Sequence, residues 1–306
     1  MPAYNVAPYL GAAIDSVLSQ SFTDFELMVV DDGSTDESPR IAEDRARRDP
    51  RVRMLYRENG GIAAARNVAL GAAEAPVFAI LDSDDLWDPT YLASQMRILD
   101  RNPGIDIVTG NALFLGGPFD GQPARPFPDT RPDPDLASII SDETAVFIMS
   151  VFRRRVYEAI GGFDEAFRTN EDYEFWLRAA LAGFRFARND RPLGRYRRRR
   201  DSLSADDVRM VRGILRVYAK LRRLLADHPA ECVLVDAQLA RFTTLLHEVE
   251  ARHALVSGDF TAAASHLAAL HARRGGARLA VARFMARWTP SLLSRAYEAR
   301  RTSRAT

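Results

Sequence analysis

Three carboxylates stand within four residues, directly after an apolar stretch of this chain. Residues 77–81 (VFAIL) are typical of a buried strand, and Asp82, Asp84 and Asp85 follow them. Carboxylate oxygens at the carboxyl end of a strand can hold Mg²⁺ or Mn²⁺ together with the oxygens of a bound diphosphate. In an extended segment the side chains of Asp82 and Asp84 would point to one side and that of Ser83 to the other. We therefore expect Asp82 and Asp84 to be metal ligands. The alternative is an acidic turn that caps the following helix.

A second acidic strand end and a pair of glycines lie upstream. Asp31 and Asp32 follow another apolar run, and their carboxylates could accept hydrogen bonds from a nucleobase or a ribose hydroxyl. Gly60 and Gly61 would let the backbone approach a ligand closely at a helix N-terminus, which favours anions, and Arg66 stands in that helix. The alternatives are an ordinary strand-to-helix turn and a solvated arginine.

Glu171 and Asp172 begin a predicted helix over residues 171–181. A carboxylate at a helix N-terminus stays ionised and could accept a proton from a bound hydroxyl group, although an ordinary first-turn acid is the alternative. The arginine-rich run at residues 195–200 could bind a diphosphate or an anionic acceptor, or it could be a solvated basic surface.

The elements that would position these groups alternate along the first 200 residues. We predict strands at residues 25–31, 52–56, 77–81, 105–114 and 146–152, and helices at residues 8–18, 37–48, 62–73, 89–101, 153–160 and 171–181. This alternation predicts an α/β fold in which a mostly parallel sheet is covered by helices on both faces. Residues 116–135 contain six prolines and three glycines, so we predict an irregular segment that is a lid, a binding loop or disordered.

The charge of the chain changes near residue 204. The 306 residues carry a net charge of +1, but residues 1–204 have 25 basic against 32 acidic side chains, and residues 205–306 have 17 against 9. We therefore predict an α/β domain over residues 1–204 and an α-helical region over residues 205–306. In that region the periodicity predicts helices at residues 208–225, 233–255 and 262–272.

The composition predicts a cytoplasmic protein. No stretch approaches the roughly 18 apolar residues of a membrane-spanning helix, no signal segment opens the chain, and a single cysteine, Cys232, excludes an intramolecular disulfide.

Nine arginines against one acid follow Ala272, and this basic C-terminal region could contact the anionic inner face of the membrane. The alternative is a solvated helical appendage. We expect no nucleic-acid partner.

Six short motifs resemble, in their order and spacing, those of the family 2 glycosyltransferases, which have the GT-A fold. The resemblance covers residues 1–204, and six motifs in register are specific even though each is short. The motifs are Pro2-Ala3-Tyr4-Asn5, Asp31-Asp32-Gly33-Ser34-Thr35-Asp36, Asn59-Gly60-Gly61 with Ala65-Arg66-Asn67, Asp82-Ser83-Asp84-Asp85, Gly161-Gly162-Phe163-Asp164 and Glu171-Asp172-Tyr173-Glu174-Phe175-Trp176-Leu177-Arg178.

The resemblance implies an enzyme that moves a sugar from a UDP-, GDP- or dTDP-sugar to an acceptor hydroxyl with inversion. The acceptor would be a glycan or a lipid-linked molecule, and the pathway would be cell-surface polysaccharide or glycolipid biosynthesis. A catalytically inactive protein that binds a nucleotide sugar is the alternative.

The resemblance also implies a role for particular residues. Asp82 and Asp84 would hold Mg²⁺ or Mn²⁺ on the diphosphate, and Asp172 would be the general base with Glu171 beside it. Trp176 lies one helical turn after Asp172, so we expect it to stack on the acceptor sugar. The residues that would contact the nucleotide sugar are Pro2, Tyr4, Asn5, Asp31, Asp32, Gly60, Arg66, Asp82 and Ser83.

Two features depart from the family's pattern. Family members usually carry a hydrophobic strand before the Pro2 motif, and here Met1 stands in its place. Because that strand lies inside the sheet, where its loss would leave backbone groups unpaired, we expect the native chain to start upstream. Many relatives have a histidine where this chain has Arg199, so the third protein ligand of the metal is not assigned.

Two other protein classes fit the sequence less well. A receiver-type signalling module also binds Mg²⁺ at acidic strand ends, but it needs a lysine on a later strand, and the single lysine, Lys220, lies in the helical region. A sugar nucleotidylyltransferase would show a glycine-rich, basic phosphate loop near its start, and residues 2–8 are neither glycine-rich nor basic.

Overall fold

The chain folds into two compact units, Met1–Ala205 and Asp206–Thr306. The structure is a computed structural model that describes residues 1–199, 202, 206–289 and 292. The charge pattern placed the boundary between residues 204 and 205. Arg200 of the basic run, that boundary itself and most of the C-terminal tail after residue 289 lie outside the described residues.

The first unit alternates strands with helices. Its strands are β1 (Pro2–Ala3), β2 (Leu27–Asp31), β3 (Val52–Tyr56), β4 (Val77–Ala79), β5 (Leu86–Trp87), β6 (Ile107–Leu115), β7 (Ser150–Arg153) and β8 (Phe186–Arg197). Its helices are α1 (Ala7–Leu18), α2 (Ser38–Arg48), α3 (Ile62–Ala72), α4 (Tyr91–Arg101), α5 (Leu136–Ser141), α6 (Arg154–Ile160) and α7 (Glu171–Leu181). Every predicted element is present, whereas β1, β5, β8 and α5 were not predicted.

Three strands form a parallel sheet in the order β1-β2-β3. All five residues of the central strand β2 are buried, which explains the continuous apolar run in the sequence. Ala3 pairs with Asp31, and Asp31 pairs with Tyr56. The residues that follow β1 and β2 therefore leave the sheet side by side.

The second sheet has five strands in the order β4-β7-β6-β8-β5. Strands β6 and β8 are parallel, and the other three pairings are antiparallel. The α/β fold is as predicted, but the parallel arrangement applies to the first sheet and the second is mixed. The prediction of a parallel sheet used only the strands that the sequence revealed, and β8 was not among them. This strand contains Pro192, Gly194 and several charged residues, and it lacks the apolar alternation that indicates a strand.

A common apolar core holds the two sheets together. Leu10, Ile14 and Val17 of α1 pack in one cluster with Val29 of β2 and Val108 of β6. This core fixes the strand ends of both sheets relative to each other.

The proline-rich segment, residues 116–135, is irregular, as predicted. An isolated bridge joins Pro123 to Leu113, and the buried side chain of Arg125 donates hydrogen bonds to the carbonyl oxygens of Thr144 and Ala145. The segment is thus held to the body of the first unit.

The second unit is α-helical. Its helices in the described residues are α8 (Asp207–Leu224), α9 (Pro229–Ser257), α10 (Phe260–Arg274) and α11 (Ala277–Trp288). The Asp206 and Asp259 carboxylates accept hydrogen bonds from the backbone N–H groups of Arg209 and Ala262, and so cap α8 and α10. Helices α8 to α10 were predicted, and α11, rich in alanine and arginine, was not.

Candidate active site

A buried arginine connects two of the predicted acidic groups. Arg66 in α3 is 4% exposed. Its Nη2 donates a hydrogen bond to Asp82 Oδ1 at 2.6 Å, and its Nη1 donates one to Glu171 Oε1 at 2.5 Å. The loop after β4 and the first turn of α7 therefore meet at one guanidinium group.

The charges around Arg66 are unbalanced. Burial opposes the positive charge, but the carboxylates of Asp82, Glu171 and Asp172 raise the pKa of Arg66 above its ordinary value. Burial raises the pKa of Glu171 and that of Asp172, and Arg66 acts in the opposite direction on both. One cation faces three carboxylates, so the site can take up a further cation or a proton.

The acidic loop at residues 82–85 is a turn and not an extended segment. β4 ends at Ala79, and the backbone N–H of Asp85 donates to the carbonyl oxygen of Asp82 at 3.1 Å. The expectation that residues 82–85 are extended, with Asp82 and Asp84 pointing to one side, was therefore wrong. Both side chains remain partly exposed, at 23% and 19%, and both stay predicted metal ligands. Ser83 is buried.

Strand β8 and the residues directly after it bring two arginines of the basic run against this loop. Arg197 donates through its backbone N–H to Asp85 Oδ1 at 2.7 Å and through Nε to the carbonyl oxygen of Asp84 at 2.8 Å. Arg199 Nε lies 3.2 Å from Asp84 Oδ2. Asp85 is 1% exposed, and the hydrogen bond that it accepts from Arg197 holds the loop to β8. Burial raises the pKa of Asp85 well above the ordinary value. Sequence reasoning missed these contacts because it did not predict β8.

The turns after β1 and β2 lie together beyond the first sheet. Asn5 Oδ1 accepts a hydrogen bond from the backbone N–H of Thr35 at 2.8 Å, and the N–H of Asn5 donates to Ser34 Oγ at 3.0 Å. Tyr4 is 51% exposed, which leaves a ring face available to a ligand. Pro2 is buried in β1, so it can support this surface but presents little of its own.

Asp32 holds the glycine loop. Its Oδ1 accepts hydrogen bonds from the Gly60 N–H at 3.0 Å and Arg57 Nη1 at 2.8 Å, and its Oδ2 accepts one from the Gly61 N–H at 2.8 Å. Gly61 has φ +91°, a conformation that favours glycine. We expected Asp32 to contact a nucleotide directly, but its carboxylate is 4% exposed, so the structure gives it a positioning role. Asp31 is also buried, at 6% exposed.

The prediction that Trp176 stacks on an acceptor sugar is wrong for this structure. Trp176 is fully buried, with its ring centroid 5.8 Å from that of Phe152 and 5.0 Å from that of Phe175. The prediction relied on the one-turn offset from Asp172. Helix α7 is, however, buried around most of its circumference, so its one-turn neighbours are core residues. Asp172 itself, in the first turn, is partly exposed.

Two polar side chains, Asn67 of α3 and Arg178 of α7, hold the glycine-containing turn that follows α6. Asn67 accepts a hydrogen bond from the Phe163 N–H at 2.7 Å and donates one to the Phe163 carbonyl at 2.8 Å. Arg178 donates to the carbonyl oxygens of Ile160 and Gly162 at 2.6 and 2.7 Å. A Cβ on Gly162 would lie 2.3 Å from Asn67 Oδ1, which explains the glycine. Sequence reasoning named these motifs but assigned Asn67 and Arg178 no contact.

Comparison with known proteins now identifies the family. Residues 1–161, more than half of the chain, match the family described as "Glycosyl transferase family 2". The chain belongs to this family. The predicted resemblance is thereby confirmed.

Two Bacillus subtilis proteins are similar in sequence. TuaG, named "Putative teichuronic acid biosynthesis glycosyltransferase", is 30% identical over 228 residues, which are 73% of this chain and 87% of TuaG. EpsJ, named as an uncharacterised glycosyltransferase, is 42% identical over 96 residues, which are 31% of this chain and 26% of EpsJ. The chain thus spans about a quarter of EpsJ.

Two solved structures share the fold. TarS of S. aureus in complex with UDP-GlcNAc superimposes with a TM-score of 0.66 at 21% identity, covering 99% of this chain and 90% of that one. The mannosyltransferase PcManGT of Pyrobaculum calidifontis, in complex with GDP-Man and Mn²⁺, superimposes with a TM-score of 0.62 at 22% identity, covering 99% and 82%. The GT-A fold that was predicted is confirmed.

Proposed function

We propose that this family 2 protein is an inverting glycosyltransferase that moves a sugar from a nucleoside-diphosphate sugar to an acceptor hydroxyl. The observation that carries the proposal is the position of Arg66, which contacts both Asp82 and Glu171. The loop proposed to bind the donor diphosphate is therefore fixed beside the helix that carries Asp172. A bound donor would have its diphosphate leaving group next to the loop at residues 82–85 and its anomeric carbon next to α7.

The nucleotide would lie at the carboxyl ends of β1 and β2. The exposed ring of Tyr4 offers a surface on which a base can stack. Asn5 and the glycine loop, which Asp32 holds in place, form the rest of the proposed nucleotide-binding surface. The N-terminus of α3 favours the negative charge of the diphosphate. The structural relatives bound to UDP-GlcNAc and GDP-Man support a nucleotide sugar as the donor class, which leaves UDP-, GDP- and dTDP-sugars as candidates.

Asp82 and Asp84 would hold Mg²⁺ or Mn²⁺. Both offer carboxylate oxygens at a partly exposed position, which suits a hard cation that also binds a diphosphate. Burial and the neighbouring Asp82 raise the pKa of Asp84, and a cation would relieve that repulsion. When bound, the ion would neutralise the negative charge that develops on the departing diphosphate.

Asp172 would be the general base. Its carboxylate accepts the proton of the acceptor hydroxyl while the hydroxyl oxygen forms a bond to the anomeric carbon, and the bond from that carbon to the diphosphate oxygen breaks. The product is the inverted glycoside, the nucleoside diphosphate leaves, and Asp172 carries the proton. Arg66 holds Glu171 beside this carboxylate and keeps two negative charges compatible in a buried site.

The acceptor is proposed to be a glycan or a lipid-linked molecule of cell-surface polysaccharide or glycolipid synthesis. The similarity to TuaG, which aligns with 73% of this chain, supports this pathway class.

A screen of UDP-, GDP- and dTDP-sugars tests the function and the metal together. We expect one donor to raise the melting temperature of the protein, and Mn²⁺ to accelerate hydrolysis of that donor at least ~10-fold, since a bound cation contributes several kcal/mol to stabilising the leaving group. D84N should lose the Mn²⁺ effect, while D100N, which removes an exposed aspartate of α4, should keep it. Equal hydrolysis in EDTA and in Mn²⁺ would refute the metal assignment.

Helix α11 suits contact with a membrane surface. Val281, Phe284 and Trp288 recur every three or four residues and are 56–64% exposed, and Arg278 and Arg287 lie on either side of this face. Among the residues that the structure describes, no helix is long and apolar enough to cross a membrane. The exposed apolar face of α11 and its flanking arginines support the proposal of peripheral binding to anionic lipid.

Liposome flotation tests this contact. We expect the full chain to float with vesicles that contain phosphatidylserine, and a variant with F284S and W288S to lose most of this binding, because about 3 kcal/mol of apolar transfer is removed. V233S, which changes an exposed apolar residue of α9, is the matched control. Equal flotation of all three proteins would exclude the α11 surface.

A further inference from the structure

The helical unit contains a cluster of metal-ligating side chains outside the proposed active site. His247 and Glu250 lie on α9, and His266 lies on α10. Ligand atoms of these three side chains all lie within 4.8 Å of one another. Each side chain is partly exposed, so a dissolved ion can reach the cluster.

Two of the three ligand separations match those of a tetrahedral metal site. His266 Nδ1 lies 3.2 Å from His247 Nδ1 and 3.2 Å from Glu250 Oε2. Metal–ligand bonds of 2.0–2.1 Å, as in zinc sites, place tetrahedral ligand atoms ~3.3 Å apart. The third separation, between His247 and Glu250, is at most 4.8 Å.

A hydrogen bond alone satisfies this arrangement poorly. In a neutral His266 ring one Nδ1 proton can be directed at the Glu250 carboxylate or at the His247 nitrogen, but not at both with good geometry. An ion placed between the three atoms binds all of them. The i, i+3 spacing of His247 and Glu250 puts both on one face of α9, which faces α10.

The surrounding charges select the kind of ion. Arg212 of α8 donates a hydrogen bond to Glu250 Oε1, and the positive charge of Arg273 acts on His247. These positive neighbours repel every divalent cation, and Mg²⁺ and Ca²⁺, which prefer oxygen ligands, gain least from a site with two imidazole nitrogens. Imidazole nitrogens bind Zn²⁺ and its neighbours in the first transition series strongly enough to overcome this repulsion.

We propose that His247, Glu250 and His266 form a binding site for Zn²⁺ that joins α9 to α10. The fourth coordination position is open to water. The site is separate from the Asp82 and Asp84 pair in ligand chemistry, since it uses nitrogen donors, and it does not depend on the proposed transferase activity.

Metal titration of the full-length protein tests the site. Excess Mg²⁺ is present throughout to occupy oxygen-ligand sites, and Zn²⁺ or the spectroscopic probe Co²⁺ is added after treatment with a chelator. We expect one ion per chain, and a visible Co²⁺ absorption typical of tetrahedral coordination. Zn²⁺ should also raise the melting temperature, because it binds the folded state.

Variants assign the ligands. H266A and E250Q should each weaken Zn²⁺ binding at least ~100-fold. Removing a residue that only supports a metal ligand already costs up to ~100-fold, and these variants remove a ligand itself. H253A, which removes an exposed histidine of the same helix, should bind as the wild type does. Comparable melting temperatures in chelator show that the variants fold, and donor-sugar binding should be unchanged in all of them.

Two results would overturn the proposal. One is Zn²⁺ binding of equal strength in the wild type, H266A and E250Q. The other is a wild-type protein that takes up no Zn²⁺ in excess Mg²⁺ and shows no tetrahedral Co²⁺ absorption.

Discussion

D172N is expected to lower sugar transfer by about 10²- to 10⁴-fold, the range that general-base catalysis contributes. Asparagine keeps the size of the side chain and removes the ability to accept the acceptor proton. Because Asp172 lies in the first turn of α7 and not at the nucleotide end of the site, binding of the donor should change little. The measurement is the transfer rate and the donor dissociation constant of the same preparation.

The matched control is D24N, which makes the same chemical change at an exposed position before β2. It should transfer sugar at the wild-type rate. Unchanged transfer by D172N would remove Asp172 as the base, and absence of transfer in the wild type with every donor and acceptor tested would favour the inactive binding protein.

The pH profile provides a second readout of the same group. Burial raises the pKa of Asp172, and the base acts only when ionised. The rate should therefore rise with pH through this raised pKa, so that the acidic limb of kcat/KM lies above the ordinary aspartate value of ~3.9. A limb at or below that value would mean that a solvated carboxylate is titrating instead.

R66M is expected to lower the free energy of unfolding by about 3–5 kcal/mol and to abolish transfer. Arg66 is 4% exposed, and its loss leaves Glu171, with a side chain 7% exposed, as a buried charge without its partner. Breaking a buried ion pair on one side typically has this cost. Urea unfolding monitored by circular dichroism measures it.

R40M serves as the control for a surface ion pair. Arg40 and Glu37 are 73% and 66% exposed, so their separation should change the free energy of unfolding far less than R66M does, because solvent screens an exposed ion pair. The double variant R66M/E171Q should recover part of the stability lost in R66M, since it removes the unpaired charge, but not the transfer activity. Equal destabilisation by R66M and R40M would contradict the buried network.

Local patterns determined most of the first unit. The signals are local: the apolar run of β2, the spacing of apolar residues in α1 and the paired glycines before α3. Such signals depend on residues that are near in sequence, and they predicted every helix longer than six residues in this unit. The acidic strand ends and the α7 motif identified the family and pointed to Asp82, Glu171 and Asp172. The same patterns could not find β8, because its pairing with β6 stabilises a segment of poor strand composition.

Tertiary structure decided what each candidate residue contacts. Arg66 and Glu171 are 105 positions apart in the chain, and no local pattern shows that they meet. Asp32 became a support of the glycine loop and Trp176 a core residue because burial depends on the elements packed around them. The cluster of His247, Glu250 and His266 likewise forms only when α9 and α10 pack together. The sequence by itself determined the residue types and the family, and long-range packing determined which of those residues form a site.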